Sequence, residues 1–367
     1  MTAWMTTEGG GDPRRTPYGV RFESVGRCLP ATRLGTGELM GTLRHRHARI
    51  DLERLTGIRE RRVAGAEHTS LSLAVSAAED ALSRSRHRPE AVEALLSCGI
   101  TKYREGLTQW LEPPQALAVA RRIGASGALA FDLSNACAGM LTGVFVVADR
   151  IMRGEISCGM VVGGEDISPL AVNAARHVRS VFSRELASLT LGDAGAAIVL
   201  ERAPKDAPGI EFAAFTTIAR HSRMCLAYPS RHAPGARMFT DARGIHRVAV
   251  ADTPALLREA LDAVGIEIGE IDHVIPHQTS ARAIRKGMAE ATRELGGAPR
   301  NPAVVTVDRY GNTASTTHTV ALVEEIRAGR IRPGDRVALV ALASGLEIGI
   351  VLFTVDERLV EGHGDHD

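Results

Sequence analysis

The chain has 367 residues, of which 44% are hydrophobic and 24% charged, as in an ordinary globular protein of about two domains. The formal net charge of +1 and an aromatic content of 4% argue against a surface for nucleic acid or for an anionic membrane. Five scattered cysteines without a CxxC pair predict reduced thiols in a cytoplasmic protein, with no disulfide and no metal site.

Both ends of the chain are predicted to be flexible tails. Residues 1–17 contain Gly, Pro and Arg but no apolar signal core, and residues 357–367 end in the polar run "EGHGDHD". The apolar run 336–353 is broken by Ser344, two glycines and Glu347. It therefore predicts two buried strands around a turn and not a membrane span.

Strands and helices alternate between the tails. In the first half we predict strands near 94–100, 128–134 and 158–168, helices over 113–124 and 138–154, and a closing strand that ends at residue 203. In the second half we predict helices over 253–265, 280–290 and 319–329, a strand over 271–278, and the final strand pair. This alternation predicts a layered α/β fold. The endings "GDAGAAIVL" and "ASGLEIGIVL" are alike, which indicates a duplicated unit.

Cys137 is the first candidate for chemistry. In "FDLSNACAGMLTGV" it follows a strand and opens a helix, where free N–H groups and the helix dipole favour a thiolate. A cysteine among apolar residues is more often part of the core, so both interpretations stay open for Cys137. For the other cysteines the core interpretation is preferred; they are Cys28, Cys98, Cys158 and Cys225.

A histidine and an asparagine follow other predicted elements in the same manner. "DHVIPHQTS" leaves His277 and Gln278 just beyond a strand, and "RYGNTASTTHT" places Asn312 in a turn before a helix. Ligand sites in α/β folds gather at the carboxyl ends of parallel strands. We therefore expect Cys137, His277 and Asn312 to meet.

These motifs resemble the 3-oxoacyl-ACP synthase III branch of the thiolase superfamily. "SNACAGM", "PHQTSARAI" and "YGNTAS" occur in the family's order, and "LTGIRERRV" and "GDAGAAIVL" also match. The resemblance implies a five-layered αβαβα fold made of two duplicated halves, residues 18–203 and 204–356. It also implies a pantetheine tunnel, which we expect residues 221–239 to shape, and a homodimer, or a heterodimer with a homologous subunit.

The resemblance implies a role for each matching residue. Cys137 would carry the acyl group as a thioester, and the backbone N–H groups of Cys137 and Gly345 would form the oxyanion hole. His277 and Asn312 would hydrogen-bond the thioester carbonyl of the second substrate. No cofactor is expected, because the substrates bring CoA or phosphopantetheine with them.

The chain departs from the family where CoA binds. Asp51 stands in place of the tryptophan that packs on adenine, and Leu55 replaces an arginine, which favours an acyl carrier protein over acyl-CoA as the donor. Arg282, Arg285 and Lys286 share one face of the helix after His277. This basic face is either a docking surface for the acidic carrier protein or an ordinary solvated face.

Glu112 is the most informative departure. In "LTQWLEPPQA" it replaces an apolar gate residue that reaches into the neighbouring subunit's acyl pocket. Enzymes of the superfamily that join two acyl chains head to head, in olefin, β-lactone and resorcinol pathways, have a similar Glu-Pro. There the glutamate is the base that removes an α-proton, and burial among apolar groups would strengthen it. The other interpretation is a solvated loop glutamate.

The sequence therefore predicts an acyltransferase that forms a carbon–carbon bond between two acyl thioesters by Claisen condensation. A non-decarboxylative, head-to-head reaction is preferred over decarboxylative condensation with a malonyl thioester. Acyl transfer to an oxygen or nitrogen acceptor and a silent subunit of a heterodimer remain alternatives, although Asn312 argues against the first and the intact Cys, His and Asn motifs argue against the second.

Overall fold

The protein is described here by a computed structural model, which covers residues 2–6, 17–45, 50–231 and 233–363, with the backbone alone for residues 2–6. The strands are β1 (Thr2–Thr6), β2 (Gly19–Cys28), β3 (Arg33–Gly35), β4 (Glu60–Arg62), β5 (Ala94–Ser97), β6 (Leu129–Asp132), β7 (Cys158–Glu165), β8 (Ala194–Ala203), β9 (Ile210–Thr217), β10 (Cys225–Pro229), β11 (Ala236–Thr240), β12 (His273–Pro276), β13 (Arg336–Ala343) and β14 (Glu347–Thr354).

The helices alternate with these strands, as the sequence predicts. They are α1 (Thr36–Gly41), α2 (Leu52–Thr56), α3 (Ser70–Leu82), α4 (Gln115–Ile123), α5 (Gly139–Met152), α6 (Pro169–Ala175), α7 (Ala242–Val264), α8 (Ala281–Leu295), α9 (Val307–Tyr310), α10 (Thr317–Arg327) and α11 (Glu357–Val360). Among the described residues, no helix combines the length and the apolarity that crossing a membrane requires.

Two five-stranded sheets carry the fold, with the orders β2-β8-β7-β5-β6 and β1-β9-β14-β13-β12. The series β2-β8-β7-β5 and β9-β14-β13-β12 correspond strand by strand. In both, the first two pairs are antiparallel and the third is parallel. The two similar sequence endings occupy the equivalent strands β8 and β14, which confirms the predicted duplication.

Helices cover both sheets and fill the space between them. The outer helices α3 and α4 pack on the first sheet, the central helices α5 and α10 touch both sheets, and α7 and α8 form the outer layer on the second sheet. These are the five αβαβα layers. Because both of its faces are covered, β7 is buried at every position. Helix α3 packs so closely on β7 and β8 that a Cβ added at Gly164 or Gly195 would lie 2.0 Å from a backbone oxygen of the helix.

The sheets are more antiparallel than the alternation of strands and helices suggests. Only β5 with β6, β5 with β7, and β12 with β13 run parallel within the two large sheets of the described residues. Helix α7 begins at Ala242, before the predicted start at 253, because Asp241 caps it by accepting from the Gly244 N–H. Residues 221–239 contain most of a separate β10–β11 hairpin.

Both predicted tails contain ordered elements. At the N-terminus, β1 pairs antiparallel with β9, whose edge would otherwise leave backbone groups unpaired. At the C-terminus, α11 packs against β2 and buries Leu359, and Asp356 caps the helix. The flexible-tail prediction is therefore wrong for residues 2–6 and 357–363, and the rest of both tails, apart from Pro17, lies outside the described residues.

Candidate active site

Cys137 lies in a tight turn between β6 and α5. Residues 136–138 form a single 3-10 turn, and Ala136 has a φ of +44°, a left-handed conformation that residues other than glycine rarely adopt. A Cβ at Gly139 would lie 2.6 Å from the Cys98 carbonyl oxygen, so the start of the helix needs a glycine. The turn is thus held in one conformation, and it leaves the Cys137 side chain partly exposed.

The thiol does not have the electrostatics that a helix start alone would give. Burial raises the pKa of Cys137, and the neighbouring Cys225 and Glu165 raise it further. The expected preference for a thiolate is therefore not met, because desolvation outweighs the helix N-terminus. The resting thiol keeps its proton, which would have to leave if the sulfur acted as a nucleophile.

His277 follows β12 and is buried, with 7% of its surface exposed. The backbone N–H of His277 donates to the Val340 carbonyl in β13 over 2.9 Å. Burial, together with the nearby His318, lowers the pKa of His277 to about 3. The imidazole is therefore neutral at physiological pH, and it carries one N–H donor and one bare nitrogen.

Gln278, which the sequence placed beside His277, has a structural role. Its Nε2 donates to the carbonyls of Pro276 and Val304, and its Oε1 accepts from the N–H groups of Thr306 and Val307. The buried amide thus joins the end of β12 to the segment before α9. It fixes the backbone from which the His277 side chain projects.

Hydrogen bonds also hold the Asn312 turn in one conformation. The Asn312 N–H donates to the Thr190 carbonyl over 2.8 Å, and its carbonyl accepts from the Gly192 N–H over 3.1 Å. The side-chain Oδ1 accepts from the Ala314 N–H over 3.0 Å. Since Oδ1 is engaged in this way, Nδ2 is oriented as a donor, and no described protein group accepts from it.

The two halves bring these turns together. Cys137 packs in one apolar cluster with Leu191 and Ala314, and Leu191 pairs with Asn312 through a parallel bridge. Strands β13 and β14 also pack against the Cys137 turn, and β13 holds His277 through Val340. The three predicted catalytic residues therefore lie around one end of the central layer.

Gly345 lies in the turn between β13 and β14, beside the Cys137 turn. Its φ of +142° is a conformation that favours glycine. Its N–H makes no backbone hydrogen bond with the described residues, and the Cys137 N–H contacts only its own sulfur among them. Two uncommitted N–H groups at this place suit the predicted oxyanion hole.

A buried carboxylate that the sequence did not indicate ties the halves together. Glu165, at the end of β7, accepts from the N–H groups of Ile100 and Thr101 and from the Thr101 hydroxyl. It also accepts from the Ser315 hydroxyl, three residues after Asn312. Burial raises the pKa of Glu165, while these hydrogen bonds oppose the rise.

The motif "LTGIRERRV" contains an arginine that stabilises the segments around the site. Arg61 is buried, with 1% of its surface exposed, and it donates to the Leu189 carbonyl and the Thr36 hydroxyl. Burial lowers the pKa of Arg61 to about 10. Its Cβ also approaches Gly192 and Gly311, so the arginine supports the segments that flank Asn312.

The β10–β11 hairpin forms one wall near Cys137. Ala236 and Met238 pack in the same cluster as Cys137, and Cys225 is close enough to raise the pKa of the Cys137 thiol. This arrangement places residues 221–239 beside the site, where the sequence predicted a wall of the substrate tunnel.

Glu112 is not buried within one chain. It lies on an exposed loop and makes no hydrogen bond or ion pair with the described residues, and the adjacent Leu111 is 78% exposed. Trp110, on the same loop, stacks against Arg104 at 3.4 Å. The apolar surroundings expected for a catalytic Glu112 would therefore have to come from a second chain.

The basic face is exposed as predicted. Arg282, Arg285 and Lys286 project from α8, and no described carboxylate pairs with them. Arg285 also lines an open polar pocket between α2, α8 and α9. No cluster of three or more metal-ligating side chains occurs in the part of the chain that the structure describes.

Comparisons with known proteins place this arrangement in a family. The profile described as 3-oxoacyl-[acyl-carrier-protein (ACP)] synthase III matches residues 131–220, and its C-terminal counterpart matches residues 261–355. A β-ketoacyl-[acyl-carrier-protein] synthase III from Symbiobacterium thermophilum is 31% identical over 304 residues, covering 80% of this chain and 86% of the relative. The chain belongs to the 3-oxoacyl-[acyl-carrier-protein] synthase III family. It is therefore an acyltransferase of the class that forms carbon–carbon bonds.

Other relatives and solved structures agree with this assignment. The synthase III of Sodalis glossinidius is 31% identical over 333 residues, which cover 87% of this chain and 98% of that protein. The crystal structure of the synthase III from Aquifex aeolicus has a TM-score of 0.77 and 25% identity, over 92% of this chain and 100% of that one. Cerulenin-bound OleA from Xanthomonas campestris has a TM-score of 0.80 and 23% identity, over 94% and 100% of the two chains, and shares the fold.

Proposed function

We propose that this synthase III-family protein condenses two acyl thioesters through an acyl-Cys137 intermediate, without loss of CO₂. The observation that carries the condensing step is the meeting of the Cys137, His277 and Asn312 turns at one end of the central layer. The observation that favours the non-decarboxylative reaction is Glu112, a carboxylate on an exposed loop that no described residue pairs with.

In the first half-reaction, the Cys137 sulfur attacks the carbonyl of an acyl thioester. The N–H groups of Cys137 and Gly345 stabilise the oxyanion, the bond between the carbonyl and the carrier's sulfur breaks, and the departing thiol takes the proton from Cys137. Because burial keeps this proton on the thiol, it is available for the leaving group. The product is an acyl-enzyme and a free carrier thiol.

In the second half-reaction, a second acyl thioester enters the emptied tunnel. The neutral His277 and the Nδ2 of Asn312 donate hydrogen bonds to its carbonyl, and Glu112 of the second subunit removes an α-proton. The resulting carbanion attacks the carbonyl of acyl-Cys137, and the bond between that carbonyl carbon and the Cys137 sulfur breaks. The proton that Glu112 took then passes to the Cys137 sulfur. A 3-oxoacyl thioester with a branch at its α-carbon leaves the site.

The basic surface beside the site supports a proposal for the carrier of the first substrate. The exposed basic face of α8 supports an acidic acyl carrier protein as the donor, with phosphopantetheine passing beside α8 to Cys137. Acyl-CoA remains the other donor. We further propose a dimer, since Glu112 and the exposed Leu111 gain apolar cover only from a second chain.

Decarboxylative condensation with a malonyl thioester is the second candidate, and the names of the curated relatives favour it. A malonyl donor forms its carbanion by losing CO₂ and needs no base. The two reactions therefore differ in their need for Glu112.

The Glu112→Gln variant tests this difference, because glutamine keeps the size and removes the base. We expect Glu112→Gln to form the acyl-enzyme normally but to condense two non-malonyl thioesters at least about a hundredfold more slowly. Glu105→Gln, on the same exposed loop, is the matched control and should retain activity. Full activity of Glu112→Gln, with CO₂ released from a malonyl thioester by the wild type, would contradict the proposal and support an ordinary synthase III.

A further inference from the structure

His318 is a second histidine at the site that the proposed mechanism does not use. It lies on α10, in the sequence that follows Asn312, and only 1% of its surface is exposed. Its Nε2 is 3.0 Å from the Val340 carbonyl oxygen. A nitrogen at this distance from a carbonyl is the donor, so in the neutral ring Nδ1 is the bare acceptor.

The same carbonyl connects His318 to His277. The Val340 oxygen accepts from the backbone N–H of His277 over 2.9 Å as well as from His318. The two rings have centroids 5.8 Å apart and planes inclined by 30°. Both side chains are more than nine-tenths buried, so few water molecules compete for their nitrogens.

Both Nδ1 atoms are orphaned in this arrangement. Neither the Nδ1 of His277 nor that of His318 has a hydrogen-bond partner among the described residues. Leaving a buried polar atom unpaired is destabilising, so each Nδ1 requires a hydrogen-bond donor. One buried water that donates to both nitrogens would satisfy the pair, as buried waters commonly do between polar groups.

We propose that His318 is a positioning residue, which holds a shared water against the Nδ1 of His277 and so keeps the N–H of His277 on Nε2. This proposal rests on the proposed function, in which His277 donates to the carbonyl of the second substrate. With the water donating to Nδ1, the ring has to carry its proton on Nε2, the tautomer that can donate to a substrate. If His277 instead donated from Nδ1 to His318, its Nε2 would be bare and would accept, not donate.

The charge state of the pair agrees with a bridging neutral donor. Burial lowers the pKa of His318 to about 4, and burial together with His318 lowers that of His277 to about 3. Neither ring is therefore an imidazolium at neutral pH. The hydrogen bonds between them must be made by neutral groups.

Two substitutions of His318 distinguish a positioning role of its Nδ1 from a role in packing alone. In His318→Asn, the side-chain oxygen can replace the accepting Nδ1, but the contact with Val340 is lost. In His318→Gln, the amide nitrogen can replace Nε2 and keep the bond to Val340, but the acceptor for the water is lost. His273→Gln is the control, since His273 is also buried in β12 but pairs with Asp335.

The two half-reactions are measured separately in each variant. We expect acylation of Cys137 to be unchanged in both, condensation to fall about tenfold or more in His318→Gln, and His318→Asn to recover most of it, since a wrong histidine tautomer is costly in catalysis. The His273→Gln control should change neither half-reaction. Full condensation by His318→Gln, or equal losses of acylation and condensation, would overturn the proposal.

Nitrogen-15 NMR of histidine-labelled wild-type protein provides a test that does not depend on any His318 variant. The His277 signal is assigned by its loss in His277→Gln, and the expected result is a protonated Nε2 and a bare Nδ1. A proton on Nδ1 of His277 would overturn the inference. A wild-type enzyme that fails to condense acyl thioesters at all would instead overturn the proposed function, whatever the tautomer.

Discussion

The Cys137 turn and the Asn312 turn are equivalent parts of the two halves, yet the proposed mechanism assigns them different chemistry. Each contains an alanine in the left-handed conformation, Ala136 at φ +44° and Ala314 at φ +53°, and each continues through a 3-10 turn into a central helix. In the first half the next residue is Cys137, the proposed nucleophile. In the second half it is Ser315, whose hydroxyl is bound by Glu165.

The same backbone conformation, a left-handed alanine followed by a 3-10 turn, therefore positions different side chains in the two halves. In the proposed mechanism, the first turn presents the Cys137 thiol to an entering acyl group. The second turn is locked by Glu165, Thr190 and Gly192, and it presents the Asn312 amide as a fixed donor. In the proposed mechanism, the first half accepts an acyl group and the second half prepares the carbon nucleophile. Variants in the two halves should therefore fail at different steps.

The largest effect is expected from loss of the nucleophile. In Cys137→Ala, acylation and turnover should fall by at least about a thousandfold, because no other thiol replaces the one held in this turn. Intact-protein mass spectrometry with peptide mapping checks the adduct on the peptide that contains "SNACAGM". Cys225→Ala, at a thiol close to the site, is the control and should still be acylated. An adduct that persists in Cys137→Ala would contradict the division between the halves.

A smaller effect concerns stability and comes from the histidines of the second half. Unfolded histidine titrates near pH 6.5, whereas His277 and His318 titrate at about 3 and about 4 in the fold. Between these values the unfolded chain binds more protons, so the free energy of unfolding should fall as the pH falls below about 6.5. Each buried histidine contributes up to about 1.4 kcal/mol per pH unit.

Urea unfolding of the wild type and of His318→Asn between pH 7 and pH 5 measures this loss. The variant should lose stability less steeply with falling pH, because one buried histidine is absent. Identical slopes for the two proteins would show that His318 is protonated in the fold and is not buried as a neutral ring.

The smallest effect is expected at the exposed basic face of α8. Arg282→Glu with Lys286→Glu should raise the KM for a carrier-bound acyl group several-fold, and the wild-type advantage should decline with salt, since exposed charges are screened within about 8 Å at physiological ionic strength. A short pantetheine thioester should be used equally well by both proteins. Lys205→Glu with Arg332→Glu, at exposed positions away from α8, is the charge-matched control. Equal losses on both substrates would argue against docking at this face.

The sequence predicted the positions where short motifs follow strands. Cys137, His277 and Asn312 each stand just beyond a predicted element, the similar strand endings predicted the duplication, and the resemblance to the synthase III family implied the five layers. The partners of these residues could not be predicted, because Glu165 and His318 act through contacts with residues distant in the sequence. The raised pKa of the Cys137 thiol depends on burial in the folded protein, which a helix start does not reveal.

Glu112 shows a second limit of the sequence. A local Glu-Pro pattern predicted a buried base, but the burial of this side chain depends on a second chain, and within one chain it is exposed. The ordered ends were also missed, because β1 and α11 are stabilised by pairing with β9 and packing on β2 and have little periodicity of their own.

The most direct test is a chase of the isolated acyl-enzyme. Wild type, His277→Ala and Asn312→Ala are loaded with an acyl thioester, freed of donor and mixed with a second acyl thioester, and loss of the Cys137 adduct is followed with formation of the 3-oxoacyl product. We predict equal loading in all three proteins and a chase at least about a hundredfold slower in each variant, the scale of losing one oxyanion donor. Variants that load poorly but chase at the wild-type rate would contradict the account.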